Sequence, residues 1–231
     1  MRIITVDNGN TNPHVGIFQD EALIAVTPLS DFSPLPDDFI LISDVGGPLS
    51  FGPSFDLKSK RENKKFFDMP VNYAETLGDD RLIVAYALFK QLIAGETILS
   101  IDAGTFITMD LIKADGFAGG YIFPGIGTYL SAYQKGSNLP LLEMKNHFEL
   151  KGLPHSTEEA ILGATEIYLE AVLASTIKKT SPSKIMITGG SLDLIKKIIL
   201  KLSLPKVQIV TDRHLIHSSL FWIYQNHLRS K

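Results

Sequence analysis

The sequence predicts an α/β protein built as two lobes. Short apolar runs bounded by turn residues lead into an apolar stretch at helical spacing, and this arrangement is performed twice along 231 residues. The segments "ITVDNGNT" and "LSIDAGTF" share an apolar strand, an Asp, a glycine two residues later and a threonine soon after. That is a repeat at domain scale, not a solenoid period. A hydrophobic content of 45% is ample for a core of this size.

The first lobe opens with strands at Ile3 to Val6, His14 to Phe18 and Ala22 to Val26. The first turn holds Asn8, Gly9, Asn10 and Asn12, residue types that tolerate tight or left-handed backbone. Pro28 to Asp38 reads as loop, Ile40 to Ser43 and a run near Phe66 as further strands, and Asp79 to Ile93 as a helix. A boundary near Gly95 divides residues 1–95 from 96–231. The second lobe has strands at Ile98 to Ile101, Phe106 to Ile112 and near Gly120 to Phe123, with a turn at Ala114 to Gly116. Helices follow at Thr128 to Gln134 and Thr157 to Lys178, the latter with Ser156 or Thr157 as cap and two glutamates in its first turn. Lys184 to Thr188 is a strand ending in Gly189 and Gly190, and Leu192 to Leu202 and His214 to Leu228 are closing helices.

Lys+Arg 22 against Asp+Glu 25 gives a net charge of -3, which argues against a broad footprint for nucleic acid or an anionic membrane. The basic cluster Lys58 to Lys65 reads as a solvated loop. Asp7 interrupts the first apolar stretch too early for a secretory leader, and Phe117 to Gln134 is too rich in glycine for a membrane helix. With no cysteine there is no disulfide framework, zinc-thiolate site or thiol nucleophile. A soluble cytoplasmic protein is the expectation.

An acid at the end of a buried strand must be satisfied or face a ligand. Asp7 and Asp102 each precede a glycine turn whose N–H groups, with the Thr11 and Thr105 hydroxyls, can cradle phosphate oxygens while the acids hold the accompanying metal. Either corner alone is better explained as a hairpin with a solvated acid; the recurrence in two equivalent places reverses that preference. "LGDDRL", Leu77 to Leu82, is either a helix cap or the carboxylate and guanidinium that an alcohol phosphotransferase needs. His214 and His217, with no third ligand at suggestive spacing, read as structural histidines in preference to a metal pair. Gly189-Gly190 is either an αβ turn or a place where a base approaches backbone. Gly120, Gly125 and Gly127 lack the remainder of a P-loop or dinucleotide fingerprint and read as packing glycines.

Taken together these stretches resemble type III pantothenate kinase, of the sugar kinase, actin and chaperone ATPase superfamily. "DNGNTN" is similar to the family's first phosphate motif, "GDDR" to its Gly-x-Asp-Arg motif, and "IDAGTFITMDLI" with "GGYIFPG" to its second phosphate motif. "STEEAILGA" resembles the segment contributing a threonine to pantothenate, and "IMITGG" the adenosine motif. The resemblance implies two ribonuclease-H-like, actin-like ATPase lobes with a cleft between them, and a homodimer with pantothenate at the subunit interface. It implies ATP contacts from Asp7, Asn8, Gly9, Asn10, Thr11, Asn12, Pro13 and His14, and from Thr105, Gly189 and Gly190. Gly78, Asp79, Asp80, Arg81 and Thr157 become pantothenate contacts, with Asp80 the proton acceptor. Magnesium accompanies ATP, reached by Asp7 through the phosphates, and Asp102 becomes the ligand of a monovalent cation, potassium or ammonium.

The chain departs from the family pattern in places. Pro13 and His14 stand where hydroxyl or small residues are usual. Val71 occupies the position of a pantothenate-contacting tyrosine, with Tyr73 as its substitute across a short deletion. Asp79, beside the base, raises the pKa of Asp80 if both face inward. The implied activity is ATP-dependent phosphorylation of pantothenate, the first step of coenzyme A synthesis. The alternatives are a non-catalytic regulatory relative binding nucleotide or a protein partner, and a superfamily enzyme acting on another small alcohol or phosphate ester.

Overall fold

A run of Ile and Val wants cover on every side, and the first strand has it. The computed structural model describes residues 1–9, 11–47, 49, 54–135, 138–144, 152–202, 204 and 207–229. Its first sheet comprises β1 (Ile3–Asn8), β2 (His14–Gln19), β3 (Ala22–Pro28), β4 (Phe39–Asp44) and β5 (Ser54–Phe55), with β1 at the centre between antiparallel β2 and parallel β4. Ile4, Val6, Val15 and Ile40 form its inner layer, with Leu29 and Phe32 packed against them. A small sheet of two-residue strands follows: β6 (Arg61–Glu62), β7 (Lys65–Phe66) and β8 (Met69–Pro70). Helix α1 (Asp79–Lys90) then starts at Gly78, with Leu82, Ile83, Ala85, Tyr86, Ala87 and Leu88 buried.

The second sheet comprises β9 (Ile98–Ala103), β10 (Phe106–Lys113), β11 (Gly116–Pro124), then β12 (Lys184–Thr188) and β13 (Gln208–Thr211), with helices α2 (Ile126–Ser131), α3 (Thr157–Thr180) and α4 (Leu192–Lys201) between. The chain ends on α5 (Leu215–Ile223) and a wide last turn, Tyr224–Leu228. Counted within each sheet, the strand order is the same in both: third, second, first, fourth, fifth. This is the expected α/β class with a ribonuclease-H-like sheet in each half.

The chain divides into two compact units. The first is Met1–Gly95 with Ile112–Gly119 and His214–Lys231, and the second is Glu96–Leu111 with Gly120–Arg213. In the first unit Phe221 of α5 stacks on Phe18 of β2 at 4.1 Å between ring centres, so the C-terminal helix covers the N-terminal sheet. In the second, Leu99, Ile101, Ile185 and Ile187 meet Leu169, Leu173 and Ile177 of α3 and Ile195, Ile198 and Ile199 of α4. Among the described residues α3 is the one helix long and apolar enough to cross a bilayer, and its Leu169 and Leu173 lie wholly within this core. Ser156 is its cap, accepting from Glu159 N at 3.1 Å, while Glu159 Oε2 accepts from His155 N at 2.8 Å.

Several boundaries move from expectation. α1 stops at Lys90 and leaves Ile93 exposed. β11 starts at Gly116, not near Gly120, because the turn is only Ala114–Asp115 and Gly116 (φ +110°) lies against the Pro70 carbonyl, where a Cβ would stand 2.1 Å away. The basic cluster is not simply solvated: the Arg61 guanidinium donates to the carbonyls of Ala74 at 2.7 Å, Glu75 at 3.0 Å and Leu77 at 3.3 Å, bracing the loop before α1.

Candidate active site

In the first unit, Asp7 is the penultimate residue of β1, opposite His14 on β2 and Ser43 on β4. Its Oδ2 stands 3.8 Å from His14 Nε2. Burial, and then repulsion from Asp80, push its carboxyl up to about 7. Next along β1, buried Asn8 is turned away from the turn: its amide donates to Asp44 Oδ1 at 2.7 Å and to the Gly47 carbonyl at 2.6 Å. Its own carbonyl accepts from Gly46 N at 2.7 Å, and a Cβ on Gly46 would sit 2.9 Å from that oxygen. Asn8 therefore ties β1 to the loop after β4. Gly9 lies near Asp7 Oδ1, Thr11 and Asn12 are exposed, Pro13 is half-buried, and Asn10 lies outside the described residues.

The "GDDR" segment turns its two acids in different directions, as neighbours about 100° apart on a helix must be. Asp80 folds back so that Oδ1 accepts from Arg81 N at 2.8 Å. A Cβ on Gly78 would stand 2.5 Å from that oxygen, so glycine is what leaves it room. Burial lifts the Asp80 pKa, opposed by Arg81. Asp79 instead meets Lys58 Nζ at 3.5 Å, and Lys58 also reaches Asp44 at 3.9 Å. The expectation that Asp79 is what raises Asp80 gives way to burial as the leading cause. Arg81 is buried, its guanidinium 5.3 Å from the Tyr73 ring centre and 5.9 Å from that of Phe117. Asn72 N donates to the Phe117 carbonyl at 3.0 Å, which places Tyr73 for this stack, while Val71 is buried beside it.

In the second unit Asp102 is the penultimate residue of β9, opposite Thr188 of β12. Backbone crowds it: Gly189, at φ +90°, would carry a Cβ 2.5 Å from Asp102 Oδ1 and 2.7 Å from Ala103 backbone, so only glycine fits. Gly190, next in the chain, is exposed. The following turn is braced by α2, with Thr128 Oγ1 donating to the Thr105 carbonyl at 2.6 Å and Gly125 N to the same oxygen at 3.0 Å. Gly125 is indeed a packing glycine, since a Cβ there would meet the Gly104 carbonyl at 2.2 Å. Thr105 is exposed at the corner, and Thr157 is exposed at the N-terminus of α3.

Reading the sequence missed Asp44, Lys58, Phe117 and Thr5 as neighbours of these groups, and placed His217 only as a structural histidine. His217 is fully buried and reaches His14 and Thr5. Glycine spacing is the one trace of this in the chain, because Gly16 is what admits the His217 ring.

The family model for type III pantothenate kinase matches residues 55–178, more than half of the chain. A type III pantothenate kinase of Fervidobacterium nodosum is 31% identical over 162 residues, 67% of this chain and 59% of that protein. One from Persephonella marina is 26% identical across 97% of this chain and 99% of its own. A solved Campylobacter jejuni structure assigned to the Baf family of transcriptional activators covers 99% of this chain and 100% of its own, at a TM-score of 0.61 and 20% identity, a likeness of fold.

Proposed function

The chain belongs to the type III pantothenate kinase family, kinases that phosphorylate pantothenate on the way to coenzyme A, and we propose that Asp80 takes the hydroxyl proton in that reaction. The observation that carries this is a half-buried carboxylate with a raised pKa, held at the start of α1 beside a buried guanidinium. A base of ordinary carboxylate strength is a poor match for an alcohol, and burial moves Asp80 toward a useful range while leaving an ionised form to accept the proton.

The reaction balances as follows. The primary hydroxyl oxygen of pantothenate bonds to the γ-phosphorus of ATP, the bond to the β-bridging oxygen breaks, ADP leaves, and the hydroxyl proton passes to Asp80. Such transfer is largely positioning and charge stabilisation. Arg81, held near the rings of Tyr73 and Phe117, offers a fixed cation for the anionic end of the substrate or the transferring charge. Gly78 and Asp79 shape the same turn, and Thr157 contributes a hydroxyl to pantothenate. Asp7 to His14, Thr105, Gly189 and Gly190 are the proposed nucleotide contacts.

Magnesium, when bound with ATP, neutralises phosphate charge, and the hard carboxylate oxygens of Asp7 suit it. Asp102, with its Oδ1 held against a turn that has no Cβ, is the proposed ligand of potassium or ammonium. A cytoplasmic homodimer belongs to the same reading, supported by the exposed Ile122 of β11 and Ile167 of α3. The test is coupled ADP release by the purified chain with and without pantothenate. Release that needs pantothenate is expected, and release indifferent to it, or none, contradicts the reading.

A further inference from the structure

A line of hydrogen bonds runs from the buried side of the first sheet to the Asp7 corner. Thr5 Oγ1 donates to the Gly16 carbonyl at 3.2 Å, and Thr5 Oγ1 and His217 Nδ1 are 2.8 Å apart. His217 Nε2 and His14 Nδ1 are 3.1 Å apart, and His14 Nε2 then faces Asp7 Oδ2 at 3.8 Å. Thr5 and His217 are fully buried and stand 212 positions apart in the sequence. The place is built to receive the ring. A Cβ on Gly16 would lie 2.6 Å from Thr5 Oγ1 and 2.8 Å from two atoms of the His217 imidazole.

The direction of the line follows from counting protons. With the one Thr5 hydroxyl hydrogen placed on the Gly16 carbonyl at 3.2 Å, the Thr5 oxygen accepts from His217 Nδ1–H. Burial, and then the neighbouring His14 and His214, hold the His217 pKa down at about 3, so the ring is neutral and has only that one N–H. Its Nε2 is then an acceptor and takes the Nδ1–H of His14. A buried ring with each nitrogen matched in this way cannot turn over without leaving a polar atom unsatisfied.

We propose that His217 is a positioning residue for the phosphate corner: anchored by Thr5 and Gly16, it fixes His14 with Nδ1–H pointing inward and bare Nε2 toward Asp7. His14 then meets the corner as an acceptor beside a carboxylate, not as a donor to phosphate oxygen. The kinetic consequence rests on the kinase reading, whereas the tautomer does not.

The experiment is a long-range proton–nitrogen correlation spectrum of the histidines in the full chain, together with steady-state kinetics. In the native chain His14 is expected as the Nδ1–H tautomer. Thr5→Val keeps the shape of the anchor but removes its oxygen, so His14 is expected to shift toward the Nε2–H form. The KM for ATP should change by about tenfold, because the atom that His14 presents to the corner changes from acceptor to donor, with kcat within a factor of about two. His217→Gln, whose carbonyl accepts from His14, should recover most of the KM that His217→Leu loses; thermal melts of each variant confirm folding. An Nε2–H His14 in the native chain, or a His14 unmoved by Thr5→Val, overturns the proposal, as does a KM left unchanged in Thr5→Val. A native chain without pantothenate-dependent turnover overturns the kinase reading alone, and the spectrum still decides the line of bonds.

Discussion

Asp7 and Asp102 stand at the same point of two sheets with the same strand order, each one residue before the end of the first strand, where the fourth runs parallel beside it. Around Asp7 the company is ionisable: Asp80, which pushes its pKa up, and His14 at 3.8 Å. Around Asp102 the close neighbours include backbone, with the Gly189 and Ala103 main chain packed against it. The strand order sets where an acid appears, and the side chains set what it can do. The first corner is suited to proton chemistry, and the second to holding charge by fixed geometry.

Glycine substitutions separate the two most sharply. Gly78→Ala puts a methyl where Asp80 Oδ1 sits, at a backbone conformation any residue adopts, so kcat should fall by about a hundredfold with stability little changed. Gly189→Ala forces both a positive φ and a clash with backbone, and should cost about 2 to 4 kcal/mol of unfolding free energy in urea titrations. Equal effects of the two on stability would erase the distinction.

The Asp7 carboxyl gives a smaller and signed effect. Its folded pKa, about 7, lies above the ordinary carboxylate value of 3.8, so its contribution to stability is fully present below about pH 4 and lost as pH rises through 7. Asp7→Asn imitates the protonated form. It should stabilise the chain by about 1 to 2 kcal/mol at pH 8, with little effect near pH 4, while abolishing nucleotide use. Destabilisation at pH 8 would mean that Asp7 is satisfied as an anion. Lys58→Met comes last: Lys58 is 61% exposed, so loss of its pairing with Asp79 and Asp44 should cost under about 1 kcal/mol and raise the Asp79 pKa further in carboxyl titrations. A larger loss would make Asp79 part of the support of the site.

Much of this was legible in the chain because it is local. β1 and β9 announce themselves as apolar runs ending in Asp, and β12 ends where its glycines begin. The strands of the small sheet are two residues each, too short to show a period, and β13 at four residues is little better. Helical geometry says that Asp79 and Asp80 must diverge, but which one faces the corner depends on Lys58 and Asp44, contributed from elsewhere in the chain. The cradle of Arg81 needs Phe117, and the anchor of His14 needs His217. Contacts of that sequence separation have no spacing to read.

The most direct measurement is turnover by Asp80→Asn, which keeps the size of the side chain and its bond from Arg81 N but removes the base. With magnesium-ATP and pantothenate saturating, kcat should drop by about 10² to 10⁴, with ATP affinity and melting temperature close to those of the native chain. A kcat within a few-fold of native would show that Asp80 is not the proton acceptor.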